Sequence, residues 1–159
     1  MPPARCARFG VPPAQVYVSA GDHGESDPGK MGPGVGKMPF TAARGLHVEH
    51  MTRGTSRIAM PARAANADAS GGTHEGAVLA LLDTTGAMAA WATTGVGPYK
   101  ASTPALQAQI LTPPEGVDLV AYGRCVQRDA ELLWSEVEVT SAADRRVFAR
   151  GTVIYRIVT

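Results

Sequence analysis

Apolar and polar residues alternate along the second half of the chain, and a period of two is typical of half-buried β-strands. The alternation is clearest between Glu131 and Thr140, where Leu133, Val137 and Val139 alternate with charged and aromatic residues. Short polar turns separate the alternating segments, so the pattern predicts an antiparallel sheet with one polar and one apolar face. The predicted strands are Thr103–Leu111, Val117–Gln127, Glu131–Thr140 and Arg146–Val158.

The segment Glu75–Trp91 follows a different pattern. Its 17 residues are dominated by Ala, Leu and Met, with few β-branched residues. This composition predicts an α-helix, which at this length spans about 25 Å. The helix is apolar on nearly all sides, so we expect the rest of the chain to bury most of it.

A shorter helix and a hairpin are predicted ahead of this long helix. Gly45 supplies a helix end for a short helix over Phe40–Arg44. The alternating segments 46–51 and 55–60 flank Arg53-Gly54, which is the chemistry of a hairpin turn. The order of elements predicts an α+β fold, in which one curved antiparallel sheet wraps around one long central helix.

Proline and glycine are concentrated at the start of the chain. The first 39 residues contain seven of the 12 Pro and seven of the 18 Gly. This composition predicts a flexible arm over residues 1–38 and one folded domain over residues 39–159. The stretch from Gly29 to Lys37 is rich in glycine like a phosphate-binding loop, but Met38 stands where that loop has Ser or Thr.

Length and charge exclude several classes of protein. The chain has 159 residues, 45% of them apolar, and a net charge of +1, which argues against disorder and against a dedicated nucleic-acid binder. Its two cysteines do not make a disulfide framework or a zinc site. His47 and His50 lie three apart in a predicted strand and are expected on opposite faces, which disfavours a metal pair. We expect a soluble, cytoplasmic protein without a membrane span.

Asp83 is the first candidate for chemistry, because it is the only charged residue of the long helix after its first position. A carboxylate in an apolar helix costs several kcal/mol to bury unless it is paired or hydrogen-bonded. It is therefore a candidate general base or nucleophile in a cleft. The alternative is that Asp83 lies on a solvent-facing stripe and bonds to Thr84 or Thr85.

The start of the helix is the second candidate. A glycine-rich loop over 70–76 leads into it, and the unpaired N–H groups of a helix start can bind an oxyanion or a carbonyl oxygen. Simple capping by Ser70 or Thr73 is the alternative, and both functions are compatible.

The spacing of these two candidates predicts a dimer. Gly76 and Asp83 lie seven residues apart, which is about 10 Å along a helix. One reacting carbon needs both an oxyanion donor and a base within about 3 Å. A two-fold dimer with antiparallel central helices brings the helix start of one protomer to the Asp83 of its partner.

The residues around the loop resemble a known family. Asn66-x-Asp68-x-x-Gly71-x-x-His74-Glu75-Gly76, followed by Asp83 nine residues after the histidine, resembles the hotdog-fold acyl-CoA thioesterases of the phenylacetyl-CoA and 4-hydroxybenzoyl-CoA type. Their motif is roughly Asn-x-x-Gly-x-x-His-Gly-Gly, with an Asp or Glu in the middle of the central helix. The resemblance covers residues 39–158.

The resemblance implies hydrolysis of an acyl-CoA or acyl-carrier thioester. Asp83 matches the carboxylate that activates water or attacks the thioester, and Gly76 with the N–H of Glu75 matches the carbonyl-polarising helix start. His74 matches the loop histidine, which in the family helps to hold that turn or the thioester. Thr103 falls where some relatives have Ser or Thr near the attacking water. The resemblance also implies a homodimer or a dimer of dimers (a homotetramer). No metal or bound cofactor is implied, because coenzyme A enters as part of the substrate.

Two positions depart from the family pattern. Glu75 replaces the first of the paired glycines, and Asp68 replaces the loop asparagine. A second carboxylate in the site is expected to raise carboxyl pKa values by like-charge repulsion. These departures favour an alternative function, a non-catalytic hotdog module that binds acyl thioesters or mediates assembly. Five arginines are candidates for the phosphates of coenzyme A or for solvated surface charges: Arg124, Arg128, Arg145, Arg146 and Arg150.

Overall fold

Six antiparallel strands in one curved sheet surround a long helix in the computed structural model, which describes residues 35–94 and 100–158. The predicted α+β hotdog architecture is confirmed. The strand order is β1-β2-β4-β5-β6-β3. The helices are α1 (Pro39–Arg44) and α2 (Glu75–Thr94), with one 3-10 turn at Ala64–Asn66. The strands are β1 (His47–Thr52), β2 (Thr55–Met60), β3 (Lys100–Ile110), β4 (Leu119–Asp129), β5 (Leu132–Ser141) and β6 (Val147–Val158).

The elements lie where the sequence patterns place them, and their ends differ by a few residues. The helix α2 extends three residues beyond the predicted end, to Thr94. The predicted hairpin forms, and both Arg53 (φ 45°) and Gly54 (φ 75°) have the positive φ that a tight two-residue hairpin turn requires. Gly45 ends α1 in the left-handed conformation, with φ 71°.

The core lies between α2 and the inner face of the sheet. Twelve of the 20 residues of α2 are buried, which agrees with an apolar surface on nearly all sides. Gly86 permits a close approach between helix and sheet, because a Cβ built there would lie 2.5 Å from Cβ of Val153. The hydroxyl of Ser56 on β2 donates to the carbonyl of Thr85 at 2.6 Å, which ties the middle of the helix to the sheet.

The outer face of the sheet is covered by ion pairs between neighbouring strands. Arg150 on β6 pairs with Glu138 on β5 at 2.8 Å, and Arg124 on β4 pairs with Glu136 on β5 at 3.7 Å. Two of the arginines considered for coenzyme A phosphates thus form cross-strand ion pairs. Such pairs are typical of a solvated surface.

The start of the described region already belongs to the core. Val35 is 3% exposed, and the hydroxyl of Thr41 donates to its carbonyl oxygen. Residues 1–34 lie outside the described residues, and so does most of the predicted flexible arm and of the glycine-rich stretch from Gly29 to Lys37.

Strand β1 departs from strict alternation at a bulge. Its register to β2 shifts between Val48 and His50, so a simple period of two does not assign the faces of its two histidines. Burial and, less strongly, the charge of Arg57 lower the pKa of His50. Within residues 35–94 and 100–158, no cluster of three or more His, Cys, Asp or Glu residues is arranged to hold a metal ion. No helix in the same ranges is long and apolar enough to span a membrane.

Candidate active site

Asp83 lies on the partly exposed stripe of α2, together with Leu79, Ala80 and Thr84. The hydroxyls of Thr84 and Thr85 do not bond to it. They donate instead to carbonyl oxygens one turn earlier in the helix, at 2.8 and 2.6 Å. The carboxylate is therefore held from outside the helix, and its stripe is the side of α2 that the sheet leaves partly open.

Thr103 on β3 is the residue that holds Asp83. Its hydroxyl donates to Oδ1 of Asp83 at 2.7 Å, between residues 20 positions apart in the chain. No other hydrogen bond reaches the Asp83 carboxylate from the described part of the chain. Among the described residues, Oδ2 thus has no hydrogen-bond donor and is open to a water molecule or a substrate.

A bulge in β3 presents Thr103 to the helix. Ser102 pairs with Arg156 and Ala105 pairs with Ile154, so the two residues Thr103 and Pro104 oppose a single residue of β6. A bulge bends a strand and redirects a side chain. Proline lacks a backbone N–H and fits this position on an edge strand.

The single residue opposite the bulge is Tyr155. It alternates with Val153 and Ile157, both buried, and this places Tyr155 on the inner face of β6. Burial raises the pKa of the Tyr155 phenol, a hydrogen bond from Trp91 lowers it, and the negative charge of Asp83 adds to the rise. Sequence reasoning did not select Tyr155, although its alternation with two apolar residues was a signal that it faces the helix.

His74 caps the start of α2. Its carbonyl accepts from the N–H of Val78 at 3.2 Å, and its Nδ1 accepts from the N–H of Gly76 at 2.9 Å. These bonds define an N-cap residue. His74, and not Ser70 or Thr73, is thus the residue that caps the helix.

This cap decides which N–H of the helix start is open. The N–H of Gly76 is engaged by the imidazole, whereas the N–H of Glu75 makes no hydrogen bond to any residue that the structure describes. The Glu75 side chain is exposed and pairs with no described residue. Among the first N–H groups of α2, that of Glu75 is therefore the one without an acceptor in the described residues.

Asp68 organises the loop that precedes the helix. Its Oδ1 accepts from the hydroxyl and the N–H of Ser70, both at 2.7 Å, and from the N–H of Gly72 at 3.1 Å. These bonds, the Ser70 hydroxyl first, lower the pKa of Asp68. The expectation that an added carboxylate has a raised pKa is therefore wrong for Asp68, because local donors stabilise its charge.

Asn66 fastens the same loop to the rest of the fold. It is 2% exposed, and its Nδ2 donates to the carbonyls of Arg44 at 2.8 Å and Pro61 at 3.1 Å. The backbone carbonyl oxygen of Asn66 accepts from the N–H of His74 at 2.8 Å, and this bond sets the position of the cap. A cleft of about 290 Å³ lies beside the loop, and its lining includes Arg63, Asn66, Gly72, Thr73 and Gly116.

The predicted site residues form two separate groups. Asp83 and Thr103 are joined at the middle of α2, with Tyr155 beside them, whereas His74 and Glu75 are at its start. The open N–H and the carboxylate lie eight residues apart, about 12 Å along the helix. One protomer thus does not bring an oxyanion donor and a base to the same carbon, and the roles of these residues in catalysis stay predictions.

Comparison with known proteins gives similarity at the level of structure. No family model matches the chain, and no curated protein matches it. Among solved structures, a thioesterase family protein from Silicibacter pomeroyi is 20% identical with a TM-score of 0.71, covering 79% of this chain and 93% of that one. A variant of a thioesterase from Pseudomonas aeruginosa is 16% identical with a TM-score of 0.72, covering 81% and 92%.

The PaaI protein from the phenylacetic acid degradation operon of E. coli is a further match. It is 18% identical with a TM-score of 0.68, covering 77% of this chain and 86% of that chain. At these identities the likeness is one of fold. The chain has the hotdog fold that these thioesterase structures share, as the loop motif and the helix pattern predict.

Proposed function

We propose that this protein hydrolyses the thioester of an acyl-CoA or acyl-carrier substrate, with Asp83 as the base that activates water. The observation that carries the proposal is the Asp83 carboxylate, fixed at one oxygen by Thr103 and open at the other, on the partly exposed stripe of an apolar helix. Several structural neighbours are named as thioesterases, which supports the same chemistry on this fold.

The proposed reaction follows from the two polar groups. Water attacks the thioester carbonyl carbon while its proton moves to the open oxygen of Asp83. The N–H of Glu75 stabilises the negative charge that develops on the carbonyl oxygen. The C–S bond then breaks, and the departing thiolate takes the proton back from Asp83. Acid and thiol are the products, and the carboxylate is regenerated without a metal or a bound cofactor.

The site requires a second copy of the chain under this proposal. An antiparallel partner helix brings the Glu75 N–H of one protomer to the Asp83 of the other. Strand β3 supports such an assembly, because it is an edge strand that pairs only with β6 in the described sheet. It also carries the exposed Leu106, and an edge strand of this kind is a ready surface for another chain.

Hydrolysis of a panel of acyl-CoA esters tests the activity. The expected result is turnover of at least one ester, with kcat lowered about 1,000-fold in Asp83→Asn, because an amide does not accept a proton at neutral pH. Asp129→Asn is the matched control, since Asp129 is an exposed carboxylate on β4 and should have no effect. Absence of turnover on every ester would overturn the proposal.

Mixed protomers test the shared site. Asp83→Asn and Glu75→Pro each disable both sites of a homodimer, since proline has no N–H. Random mixing of the two variants should restore about a quarter of wild-type activity, because half of the dimers are mixed and each has one intact site. A mixture as inactive as its components would show that no site is shared.

One observation favours a second function, a non-catalytic module that binds acyl thioesters. The Gly76 N–H is already engaged by His74, so within residues 35–94 and 100–158 one helix-start donor, the N–H of Glu75, is without an acceptor. A module of this kind should bind a non-hydrolysable thioether analogue of acyl-CoA and leave every thioester intact. Calorimetry with the analogue, beside the hydrolysis panel, separates the two functions.

A further inference from the structure

Tyr155 lies beside the proposed base and has no role in the mechanism above. It is the one residue of β6 opposite the bulge that carries Thr103, and Thr103 contacts Asp83. Its neighbours on the same face, Val153 and Ile157, are buried against the helix. The phenol therefore points to the side of the sheet on which the Asp83 carboxylate lies.

Trp91 fixes the orientation of this phenol. The indole N–H of Trp91 donates to the Tyr155 hydroxyl oxygen at 3.2 Å, and the two rings meet edge-on, with centroids 6.4 Å apart and planes at 62°. A tyrosine hydroxyl has one proton to donate. Because the indole is the donor in this bond, the phenol proton is left to point elsewhere. No acceptor for it lies among the described residues.

The phenol lies on the same face of the sheet as the Thr103 hydroxyl that holds the carboxylate, and no direct hydrogen bond joins phenol and carboxylate among the described residues. The charge of Asp83 contributes to the raised pKa of Tyr155, so the two groups interact electrostatically. Asp83 accepts directly only from Thr103 in the described structure. A water molecule at the open oxygen of the proposed base can accept from the phenol and donate to the carboxylate, and such bridging waters are common between polar groups in active sites.

We propose that Tyr155 positions the attacking water: its hydroxyl, held by the indole of Trp91, donates a hydrogen bond to the water that gives its proton to Asp83. The water then donates one hydrogen to the carboxylate and accepts a hydrogen bond from the phenol at one lone pair. Its other lone pair is directed at the thioester carbon. This inference rests on the proposed hydrolase function, and it assigns the aromatic pair a role in orienting the nucleophile.

Tyr155→Phe tests the role of the hydroxyl. The substitution keeps the ring and its edge contact with Trp91 and removes only the hydroxyl. We expect kcat to fall about tenfold, the rate equivalent of one hydrogen bond, with KM unchanged because the phenol contacts water and not the thioester. A variant with wild-type kcat would overturn the inference, and so would a rise in KM at constant kcat.

A double-mutant cycle tests the role of Trp91. Trp91→Phe removes the indole donor and should lower kcat about threefold, since the phenol keeps its proton but loses its fixed orientation. In the Tyr155→Phe background the same change should have no further effect on kcat. Independent, multiplying effects would show that Trp91 acts through packing alone and would overturn this part of the inference.

A titration separates this inference from the proposed function. The chain has four tyrosines, and the ultraviolet titration of wild type minus that of Tyr155→Phe isolates one phenol. Asp83→Asn should lower the pKa of Tyr155, because it removes the charge that raises it. An unchanged titration would overturn the inference. Loss of turnover in Asp83→Asn with full turnover in Tyr155→Phe would overturn the role of Tyr155 and leave the hydrolase function standing. Absence of turnover in the wild type would overturn both.

Discussion

The start of α2 and its middle are built from different kinds of contact. At the start, the side chains of Asp68 and His74 bond to backbone groups two to four residues away. At the middle, Asp83 is bonded by Thr103, 20 residues away, and Trp91 bonds to Tyr155, 64 residues away. The first group therefore forms with the loop itself, whereas the second exists only when the whole sheet is assembled. A substitution at the start should alter only contacts within the loop. A substitution at the middle should also alter the packing between the helix and the sheet.

After the loss expected for Asp83→Asn, the largest effect is expected from removing the open N–H at the helix start. Glu75→Pro removes that donor, and we expect kcat to fall about 100-fold, as when an oxyanion donor is lost. Proline is favoured at the first helical position, so the melting temperature should stay close to that of the wild type. Glu75→Ala is the control, because it keeps the N–H. Normal activity of Glu75→Pro, together with faster turnover in His74→Ala, would assign the donor role to Gly76 instead.

Alanine at two glycines of α2 compares start and middle directly. A Cβ at Gly86 would lie 2.5 Å from Cβ of Val153, so Gly86→Ala should reduce the free energy of unfolding by about 1–3 kcal/mol. A Cβ at Gly76 would meet only the exposed His74 ring, at 3.1 Å, and the higher helix propensity of alanine offsets the weakening of the cap that a moved ring causes. Gly76→Ala should stay within about 0.5 kcal/mol of the wild type. Urea denaturation of both variants measures the difference, and equal losses would contradict the comparison.

Thr103→Val tests the long-range bond at the middle of the helix. Valine has nearly the shape of threonine without the hydroxyl, so Asp83 loses its only described donor. We expect kcat to fall about tenfold, the rate equivalent of one hydrogen bond. Thr103→Ser, which restores the hydroxyl, should recover most of the loss. If Thr103→Ser is as slow as Thr103→Val, the hydroxyl alone does not restore activity, and the hydrogen bond to Asp83 does not account for the loss.

The smallest effect is expected from Asp68→Asn, and it is measured as a change in how stability depends on pH in acid. Hydrogen bonds lower the pKa of Asp68 in the folded protein below its usual 3.8, so its charged form stabilises the fold above that pH. This contribution is lost as the pH falls through the lowered folded pKa. The melting temperature of Asp68→Asn should therefore decline less steeply below pH 3.8 than that of the wild type. Parallel declines would show that the loop does not use the charge.

The two groups also differ in how far the sequence predicts them. The helix, the Arg53-Gly54 turn and the four long strands follow from local periodicity and turn chemistry. Asp83 was selected as the only charged residue inside an apolar helix, and the match to a known family supported it and added Thr103. The residue pattern favoured Ser70 or Thr73 as the cap, because serine and threonine are the commoner caps, whereas the family match gave His74 as a residue that helps to hold this turn.

The neighbourhood of Tyr155 was missed for a different reason. Its place beside Asp83 depends on the bulge at Thr103 and Pro104, which shifts the register between β3 and β6. Register between strands distant in the chain is decided by the packed sheet, and one sequence read alone does not contain it.

Strand β3 has a further consequence, because one edge strand carries both the threonine that orients the base and the backbone groups open to a neighbour. If protomers join along this edge, activity becomes a function of protein concentration. Dilution below the dissociation constant of the dimer would then abolish activity while every subunit stayed folded. Specific activity would rise with protein concentration until all chains were dimeric.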